Sequence, residues 1–509
     1  MQKILQKLEN NSIKKLHLWV VLIGTLIAAQ VQYIQHGWIN PDSVLYLEAA
    51  KFFIQGEWKA GFEVFNWPFY SLCITLINKI THFGVHVSAQ ILNVTFFAIA
   101  TYSFIQIIQL AGGKQRQIIA GALIWLSAQY MIGGVLEMLM RDEGFWAFYL
   151  LSLVFFIRFY QQQKFKDALL WQICIIIATL FRIEAILFLM FLPLILLFQA
   201  GFTLKQKWKN LLIANIININ LAIIVLVVFI SNDSLSTKLL GRLNEVFTSN
   251  LWQQLIGHLS KKSQIMSEQV LGEYLNEFAI PSLLLTFLYV ICVRTISSTG
   301  LVIVGLSVFA IKQRKHLFNQ QAFQVLGATA IIAIVNMGLI IVKVFVLSGR
   351  YVLALSFILM AFAAFYFAEL LFNDNQNKKT KWLVLALIVF MLGGTVKSVL
   401  PKKQGYNYIQ EGVTWLNKNN SQKLPVFYDE KRLRYYANEP FTTEPDDWEY
   451  LSKKIQSESI NNYGYLVIRH SSKHPERKQY LKERLLSHQE IVSFDSVKSK
   501  NSIVIYKRK

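Results

Sequence analysis

The stretch FQVLGATAIIAIVNMGLIIVKVFV, residues 323–346, decides the fold class, because Lys343 is its only charged side chain. A helix needs about 20 apolar residues to cross the roughly 30 Å hydrocarbon core of a bilayer. Similar apolar runs occupy residues 211–230, 352–371 and 382–400. With 54% hydrophobic residues in a chain of 509, the sequence predicts an α-helical polytopic membrane protein.

Lysine and arginine predict the orientation of these helices. They cluster in short loops at residues 3–15, 114–116, 158–166, 205–209, 312–315 and 378–381. The positive-inside rule makes these loops cytoplasmic and predicts about eleven transmembrane helices, with the N-terminus in the cytoplasm and the tail outside. The predicted spans cover residues 16–36, 87–110, 118–135, 144–161, 168–182, 185–200, 211–230, 297–311, 323–346, 352–371 and 382–400.

Two apolar segments have lengths that do not fit one transmembrane helix. Trp67–Phe83 is short and ends in polar residues, so it is interpreted as an in-plane or re-entrant helix. The apolar run at residues 279–311 is too long for one span, and its first part is interpreted as an interfacial helix. The net charge of +21 is explained by orientation and not by nucleic acid, because the basic clusters lack an interleaved aromatic face.

The chain changes character after Pro401, where it becomes polar with alternating helix and strand patterns. We therefore predict a transmembrane domain over residues 1–400, with outer loops at 37–86 and 231–296. Residues 401–509 are predicted to form a small soluble extracytoplasmic α/β domain. The 3 cysteines lie in apolar runs and form no disulfide framework or metal-binding pattern.

Two acidic segments fall at the predicted outer surface. Asn40-Pro41-Asp42-Ser43 precedes a helical pattern, and Arg141-Asp142-Glu143 joins two spans. Each segment also has a purely structural explanation. Asp42 favours a helix N-terminus, and charges at turns such as residues 141–143 cap helices and mark the membrane surface.

The combination of motifs resembles a known family. Pro41-Asp42-Ser43-x-x-Tyr46-Leu47, Trp67-Pro68-Phe69-Tyr70 and Arg141-Asp142-Glu143 are similar to motifs of the GT-C fold glycosyltransferases. The most similar branch holds the protein O-mannosyltransferases and aminoarabinose transferases, which use a polyprenyl-phosphate-sugar donor. The resemblance implies an integral protein of the bacterial inner (plasma) membrane. It implies an inverting hexosyl- or pentosyltransferase that acts at the non-cytoplasmic face on a lipid, glycan or protein acceptor.

The chemistry of that reaction assigns expected roles. A carboxylate must take the proton of the acceptor hydroxyl, and Asp42 is the candidate general base. Cations must stabilise the leaving lipid phosphate, and Arg141, Arg182 and Arg350 are the candidates. Asp142 and Glu143 are candidate catalytic residues that could bond the sugar or acceptor, orient an arginine, or hold a divalent cation with Asp42. Further substrate-binding candidates are Tyr46, Glu184 and Tyr351. Glu184 also fits a local partner of Arg182, and Arg350-Tyr351 also fits an interfacial anchor.

Two other functions, and two interpretations of one loop, are compatible with parts of the sequence. A secondary transporter would need paired helices broken by Gly or Pro and charges near the midplane, which the sequence lacks. A membrane scaffold with a partner-binding tail would leave the acidic clustering unexplained. The segment at residues 231–278 is amphipathic and could be either a lid over the site or an ordinary surface-lying segment.

Overall fold

A computed structural model describes residues 12–34, 39–231, 251–373, 377–401, 407–442, 444–497 and 499–509. Its helices are α1 Ile13–Ile34, α2 Pro41–Gln55, α3 Trp58–Val64, α4 Phe69–Thr81, α5 Val85–Leu110, α6 Gln115–Leu126, α7 Asp142–Gln162, α8 Phe165–Phe181, α9 Ile186–Phe191, α10 Leu204–Ile213, α11 Ile216–Ser231, α12 Leu251–Met266, α13 Ala279–Thr299, α14 Leu301–Lys312, α15 Arg314–Leu317, α16 Gln320–Val344, α17 Gly349–Phe372, α18 Lys378–Val399, α19 Tyr408–Asn419, α20 Lys431–Tyr436, α21 Trp448–Gln456 and α22 Pro475–Arg484. Its strands are β1 Val426–Tyr428, β2 Tyr465–His470, β3 His488–Asp495 and β4 Ser502–Arg508.

The predicted polytopic architecture is confirmed. Among the described residues, 8 helices are long and apolar enough to cross a membrane, namely Ile13–Ile34, Val85–Leu110, Gln115–Val135, Asp142–Gln162, Asn276–Thr299, Gln320–Val344, Gly349–Phe372 and Lys378–Val399. Two shorter apolar helices, Ile183–Phe198 and Leu301–Lys312, supplement them. The protein is therefore an integral membrane protein, although fewer helices meet the length requirement than the sequence predicted.

Two segments test the finer topology. The helix Phe69–Thr81 has 13 residues, about 20 Å at 1.5 Å per residue, which is too short to cross the bilayer. Near residue 300 the structure differs from the prediction that a transmembrane helix begins at residue 297 after an interfacial helix. Instead, α13 runs unbroken through residue 297 to Thr299. Gly300 then breaks the helix with a φ of +96°, a conformation that glycine adopts without steric cost.

The chain divides into two compact units. Unit 1 comprises Met1–Gln32, Gln90–Glu137 and Arg141–Val399, and unit 2 comprises Tyr33–Ala89, Met138–Met140 and Leu400–Lys509. Unit 2 thus groups the first predicted outer loop with the polar tail. The simpler division at residue 400 stays a prediction.

In unit 1, α7 and α17 are the most enclosed of the 8 described helices that are long enough to cross a membrane. In their most apolar 18-residue stretches, 78% and 83% of the residues are buried. Large aromatic side chains pack on α17 and on its neighbours. The ring of Trp125 lies 4.5 Å from the ring of Phe104 and 5.2 Å from that of Phe357, and Trp146 meets Phe357 edge to face. The contact between Trp146 and Phe357 joins the two helices that carry the acidic turn and Arg350, and Trp125 of α6 packs on the same Phe357 ring.

The tail domain in unit 2 is built on a mixed four-stranded sheet with the order β1-β2-β4-β3. The pair β1–β2 is parallel, and the other two pairs are antiparallel. Alternating apolar residues of β2 point to opposite faces of the sheet. Tyr465 and Val467 pack in one core with residues of α19 and α20, and Leu466 and Ile468 pack in a second core with residues of α21 and α22.

Most of these tail elements were predicted. The sequence indicated a helix over 406–417, strands over 424–428 and 465–469, a helix over 475–486, and a hairpin of 491–494 with 502–506. Each is present with bounds shifted by a few residues. The small C-terminal α/β fold is therefore confirmed, and α20 and α21 are additional helices.

Candidate active site

The acidic turn predicted from the sequence forms the start of α7. Asp142 and Glu143 occupy the first turn of this helix, and their residues are 2% and 0% exposed. Carboxylates favour a helix N-terminus, because the unpaired backbone N–H groups there carry partial positive charge. Burial of a charged carboxylate nevertheless costs several kcal/mol unless a cation or hydrogen bond compensates it, so the surrounding residues decide what this turn can do.

Asp142 has both carboxylate oxygens next to arginines. Arg182 donates a hydrogen bond from Nη1 to Oδ1, and Nη1 of Arg350 lies 3.6 Å from Oδ2. Arg182 directly follows α8, and Arg350 lies in the first turn of α17. The carboxylate of Asp142 therefore joins the ends of three helices of unit 1.

Arg182 is also bound on its other sides. Its Nη2 lies 3.3 Å from Oε1 of Glu184, and its guanidinium lies 4.4 Å from the ring centre of Tyr351. Phe145 contributes a second aromatic ring at 5.7 Å. The prediction that Glu184 is a local partner of Arg182 is confirmed by this geometry. The array brings together Asp142, Arg182, Glu184, Arg350 and Tyr351, all of which were candidates from the sequence.

The members of this array differ in accessibility. The side chains of Asp142 and Arg182 are 2% and 6% exposed, whereas those of Glu184 and Arg350 are 18% and 24% exposed. A buried pair can orient neighbouring groups but cannot itself be reached by a large anionic ligand. Arg350 thus has the more exposed side chain of the two arginines in the array, while its role in binding phosphate stays a prediction.

Glu143 contrasts with its neighbour. Its residue is fully buried, and within the described part of the chain neither carboxylate oxygen has a hydrogen-bond partner. Buried polar atoms are almost always hydrogen-bonded, and exceptions concentrate at functional sites. This carboxyl is therefore available to a polar group or water that enters the region.

Two glycines allow the close approach of the helices that carry the arginines. A Cβ on Gly144 would lie 2.5 Å from Cε1 of Phe181, the residue directly before Arg182. A Cβ on Gly349, directly before Arg350, would lie 2.7 Å from Oγ of Ser298 and still closer to the ring of Tyr130. A larger residue at position 144 would have to move Phe181, and one at position 349 would have to move Tyr130 and Ser298, directly beside the arginines of the array.

Arg141 precedes this array in the chain. It occupies the N-cap position of α7, with φ −76° and ψ −6°, and is half-buried. Its proposed role in binding phosphate stays a prediction.

Asp42 and Tyr46 lie in unit 2, on α2. Asp42 is half-buried in the first turn of this helix, where Oδ1 of Asn40 accepts a hydrogen bond from its backbone N–H at 3.0 Å. Tyr46 is 3% exposed, and its ring packs edge to face against Phe65 at 4.9 Å and Tyr70 at 5.5 Å. The ring of Tyr46 therefore belongs to an aromatic core, while substrate binding by this residue stays a prediction.

Sequence reasoning missed some contributors. Asn336 of α16 donates a hydrogen bond from Nδ2 to the backbone carbonyl of Glu184 at 3.3 Å, and Phe145 stacks on Arg182. Asn336 was detectable as an amide inside an otherwise apolar run. Phe145 gave no signal, because aromatic residues are common throughout this chain.

A metal site receives no geometric support from the part of the chain that is described. Within it, no group of three or more His, Cys, Asp or Glu side chains is arranged to hold a metal ion. The segment at residues 231–278, for which a lid and an ordinary surface-lying segment were both considered, lies partly outside the described residues, which resume at Leu251 with α12.

Comparison with solved structures gives the fold of the chain. The crystal structure of ArnT from Cupriavidus metallidurans in the apo state matches with a TM-score of 0.54 and 11% sequence identity, over 96% of this chain and 97% of that chain. No protein-family model and no curated protein matches the sequence. The expected GT-C-like fold is therefore confirmed along nearly the whole chain.

Proposed function

We propose that this protein is a membrane glycosyltransferase of the GT-C type that transfers a sugar from a polyprenyl-phosphate donor. The observation that carries the proposal is the burial of Asp142 between Arg182 and Arg350, in a chain with the fold of ArnT. A lipid-phosphate donor needs fixed cations at its leaving group, and a buried carboxylate that orients two guanidinium groups provides them.

The leaving group determines the role of the arginine array. As the bond from the anomeric carbon to the phosphate oxygen breaks, its electron pair moves to that oxygen and increases the negative charge of the phosphate. Arg350, whose side chain is more exposed than that of Arg182, is proposed to receive that charge. Asp142 and Arg182 are proposed to hold Arg350 in place, and Arg141 is proposed to add a second contact to the phosphate.

Asp42 is proposed to act as the general base. It takes the proton of the acceptor hydroxyl while the hydroxyl oxygen attacks the anomeric carbon from the face opposite the phosphate, which inverts the configuration. Support comes from the motif around Asp42 and from its fixed environment. Asn40 donates a hydrogen bond to Sδ of Met138 at 3.4 Å, and Ser43 donates one to Sδ of Met140 at 3.7 Å.

The remaining parts of the proposal follow the family resemblance. The donor sugar is a hexose or pentose, and the acceptor is a lipid, a glycan or a protein. The enzyme resides in the bacterial inner membrane with its N-terminus in the cytoplasm and its tail domain outside. A divalent cation is proposed only as an alternative partner of the carboxylates.

The proposal is tested in proteoliposomes with a labelled polyprenyl-phosphate sugar. Asp42→Asn is expected to reduce product formation by at least 100-fold, a typical contribution of general-base catalysis. Asp495→Asn, an exposed aspartate of β3, serves as the matched control and should retain full activity. Full activity of a correctly inserted Asp42→Asn variant would remove Asp42 from catalysis, and absence of transfer by the wild type with every donor tried would remove the enzyme assignment.

A further inference from the structure

The tail domain contains a polar cleft of about 290 Å³ at the carboxyl ends of its two parallel strands. Asp429 and Glu430 directly follow β1, and Arg469 and His470 end β2. In open α/β sheets, ligands bind in crevices outside the carboxyl ends of parallel strands. The position of this cleft in the fold is therefore one at which α/β domains commonly hold a small molecule.

Three buried polar atoms at this cleft lack a hydrogen-bond partner in the described residues, and one of them, Oε2 of Glu430, lies instead in an ion pair with Nη1 of Arg469. Oδ2 of Asp429 accepts a hydrogen bond from the backbone N–H of Arg469 at 2.8 Å, but Oδ1 of Asp429 is buried with no hydrogen-bond partner in the described residues. The same holds for Nε of Arg469. A buried polar atom without a hydrogen bond is costly, so a ligand that satisfies Oδ1 of Asp429 and Nε of Arg469 would bind with a gain.

The other charged groups of the cleft are already compensated. Glu430 accepts a hydrogen bond from Nε of Arg432 and lies 3.3 Å from Nη1 of Arg469. Asp446 pairs with Lys431 at 3.4 Å. Asp447 caps α21 by accepting a hydrogen bond from the backbone N–H of Tyr450. These carboxylates would repel an anion, yet they offer no unpaired charge that would recognise a cation.

One wall of the cleft is apolar. Trp448, Leu451 and Ile468 line it, and the guanidinium of Arg477 lies 5.2 Å from the ring centre of Trp448. Burial raises the pKa of the Asp429 carboxyl well above its usual range, so this group can both donate and accept a hydrogen bond. A sugar matches such a surface, because it carries hydroxyl groups that donate and accept and C–H faces that pack on aromatic rings.

We propose that the cleft formed by Asp429, Arg469 and Trp448 in the tail domain binds a neutral carbohydrate. A sugar hydroxyl bonds Oδ1 of Asp429 and accepts the Nε–H of Arg469, and its C–H face lies on the apolar wall. This inference goes beyond transfer chemistry in the membrane domain. It gives the tail domain a binding role that does not depend on the proposed reaction.

The test measures binding by the full chain in a detergent without a sugar headgroup. Saturation-transfer difference NMR is recorded with methyl glycosides of glucose, galactose, mannose and N-acetylglucosamine. Two variants preserve internal contacts while changing the ligand-facing atoms. Asp429→Asn keeps an oxygen for the N–H of Arg469, and Arg469→Lys keeps a cation near Glu430. Both are expected to weaken binding of at least one glycoside by about tenfold.

Matched controls carry the same substitutions at exposed positions of the same domain, namely Asp495→Asn and Arg484→Lys. They should bind like the wild type. Absence of saturation transfer from all four glycosides to the folded wild type would overturn the proposal. Unchanged binding in both cleft variants, or displacement of the glycoside by inorganic phosphate, would also overturn it. Because none of these measurements uses transferase activity, their failure is distinct from failure of the proposed function.

Discussion

The hydroxyl oxygen of Tyr436 accepts a hydrogen bond from the backbone N–H of Ile39, with 3.1 Å between the two atoms. Close by, the ammonium of Lys51 lies 4.8 Å from the ring centre of Tyr435 and pairs with Glu48 at 2.6 Å. Both contacts link α20 of the tail domain to the segment that carries α2. The tail domain therefore helps to fix the start of the helix on which Asp42 lies.

Removal of this hydroxyl should loosen the segment before α2. Tyr436→Phe leaves the N–H of Ile39 without its acceptor, which costs about 1 kcal/mol and raises amide exchange in residues 39–44 by roughly fivefold. Hydrogen-exchange mass spectrometry measures this effect. Burial raises the pKa of Tyr436 to about 12, so the difference in amide exchange between the variant and the wild type should stay constant across neutral pH. Tyr480→Phe is the control, and an equal effect from it would contradict the assignment.

Asp142 and Arg182 should be strongly coupled in stability. Asp142→Asn or Arg182→Gln leaves an uncompensated buried charge, which costs about 3–5 kcal/mol. The double variant should be less destabilised than the sum of the two single variants. A double-mutant cycle of thermal or denaturant unfolding, read from the intact protein in detergent, measures this coupling. Additive effects would show that the pair does not exist in the folded protein.

Gly144 should not tolerate a methyl group. Because Cβ would meet the ring of Phe181 at 2.5 Å, Gly144→Ala is expected to destabilise the protein by about 1–3 kcal/mol and to reduce transfer activity through displacement of Arg182. Gly338→Ala is a matched control, since nothing lies within 4 Å of a Cβ there. Phe181→Leu in the same chain should restore part of the loss, and a neutral Gly144→Ala would disprove the close packing.

Acidification should weaken the tail domain through His470. Burial, aided by the charge of Lys478, lowers the pKa of His470 from 6.5 to about 4 in the folded state. The unfolded chain therefore binds a proton more readily, so this contribution to stability is complete above pH 6.5 and falls as the pH drops towards 4. Hydrogen exchange of β2 in His470→Gln should lose this pH dependence, whereas the exposed His474→Gln variant should retain it.

The fold was predictable wherever the sequence contains a long apolar run or a regular alternation of apolar and polar residues. Runs such as Val352–Leu371 indicate membrane helices by length alone, and most tail strands follow from their alternating pattern. The helices Lys431–Tyr436 and Trp448–Gln456 were missed, because they are short, charged and fixed by packing on the sheet. The boundary at residue 297 was misplaced, because hydropathy does not reveal the helix break at Gly300.

The candidate site was predictable as a set of residues but not as a geometry. Charged side chains in apolar surroundings identified Asp142, Arg182 and Arg350 one by one. Their pairing depends on helix packing, and Asp142 and Arg182 are 40 positions apart in the chain. The roles of Gly144 and Gly349 could not be foreseen, since they depend on which side chain faces each glycine.

The hydrogen bond between Ile39 and Tyr436 joins positions 397 residues apart. During synthesis, the segment before α2 must therefore wait without this partner until nearly the entire polypeptide has left the ribosome. A product that terminates early, after Val399, would insert its membrane helices yet lack the surface that stabilises its first loop. The last hundred residues thus supply a contact to a loop that is made at the beginning.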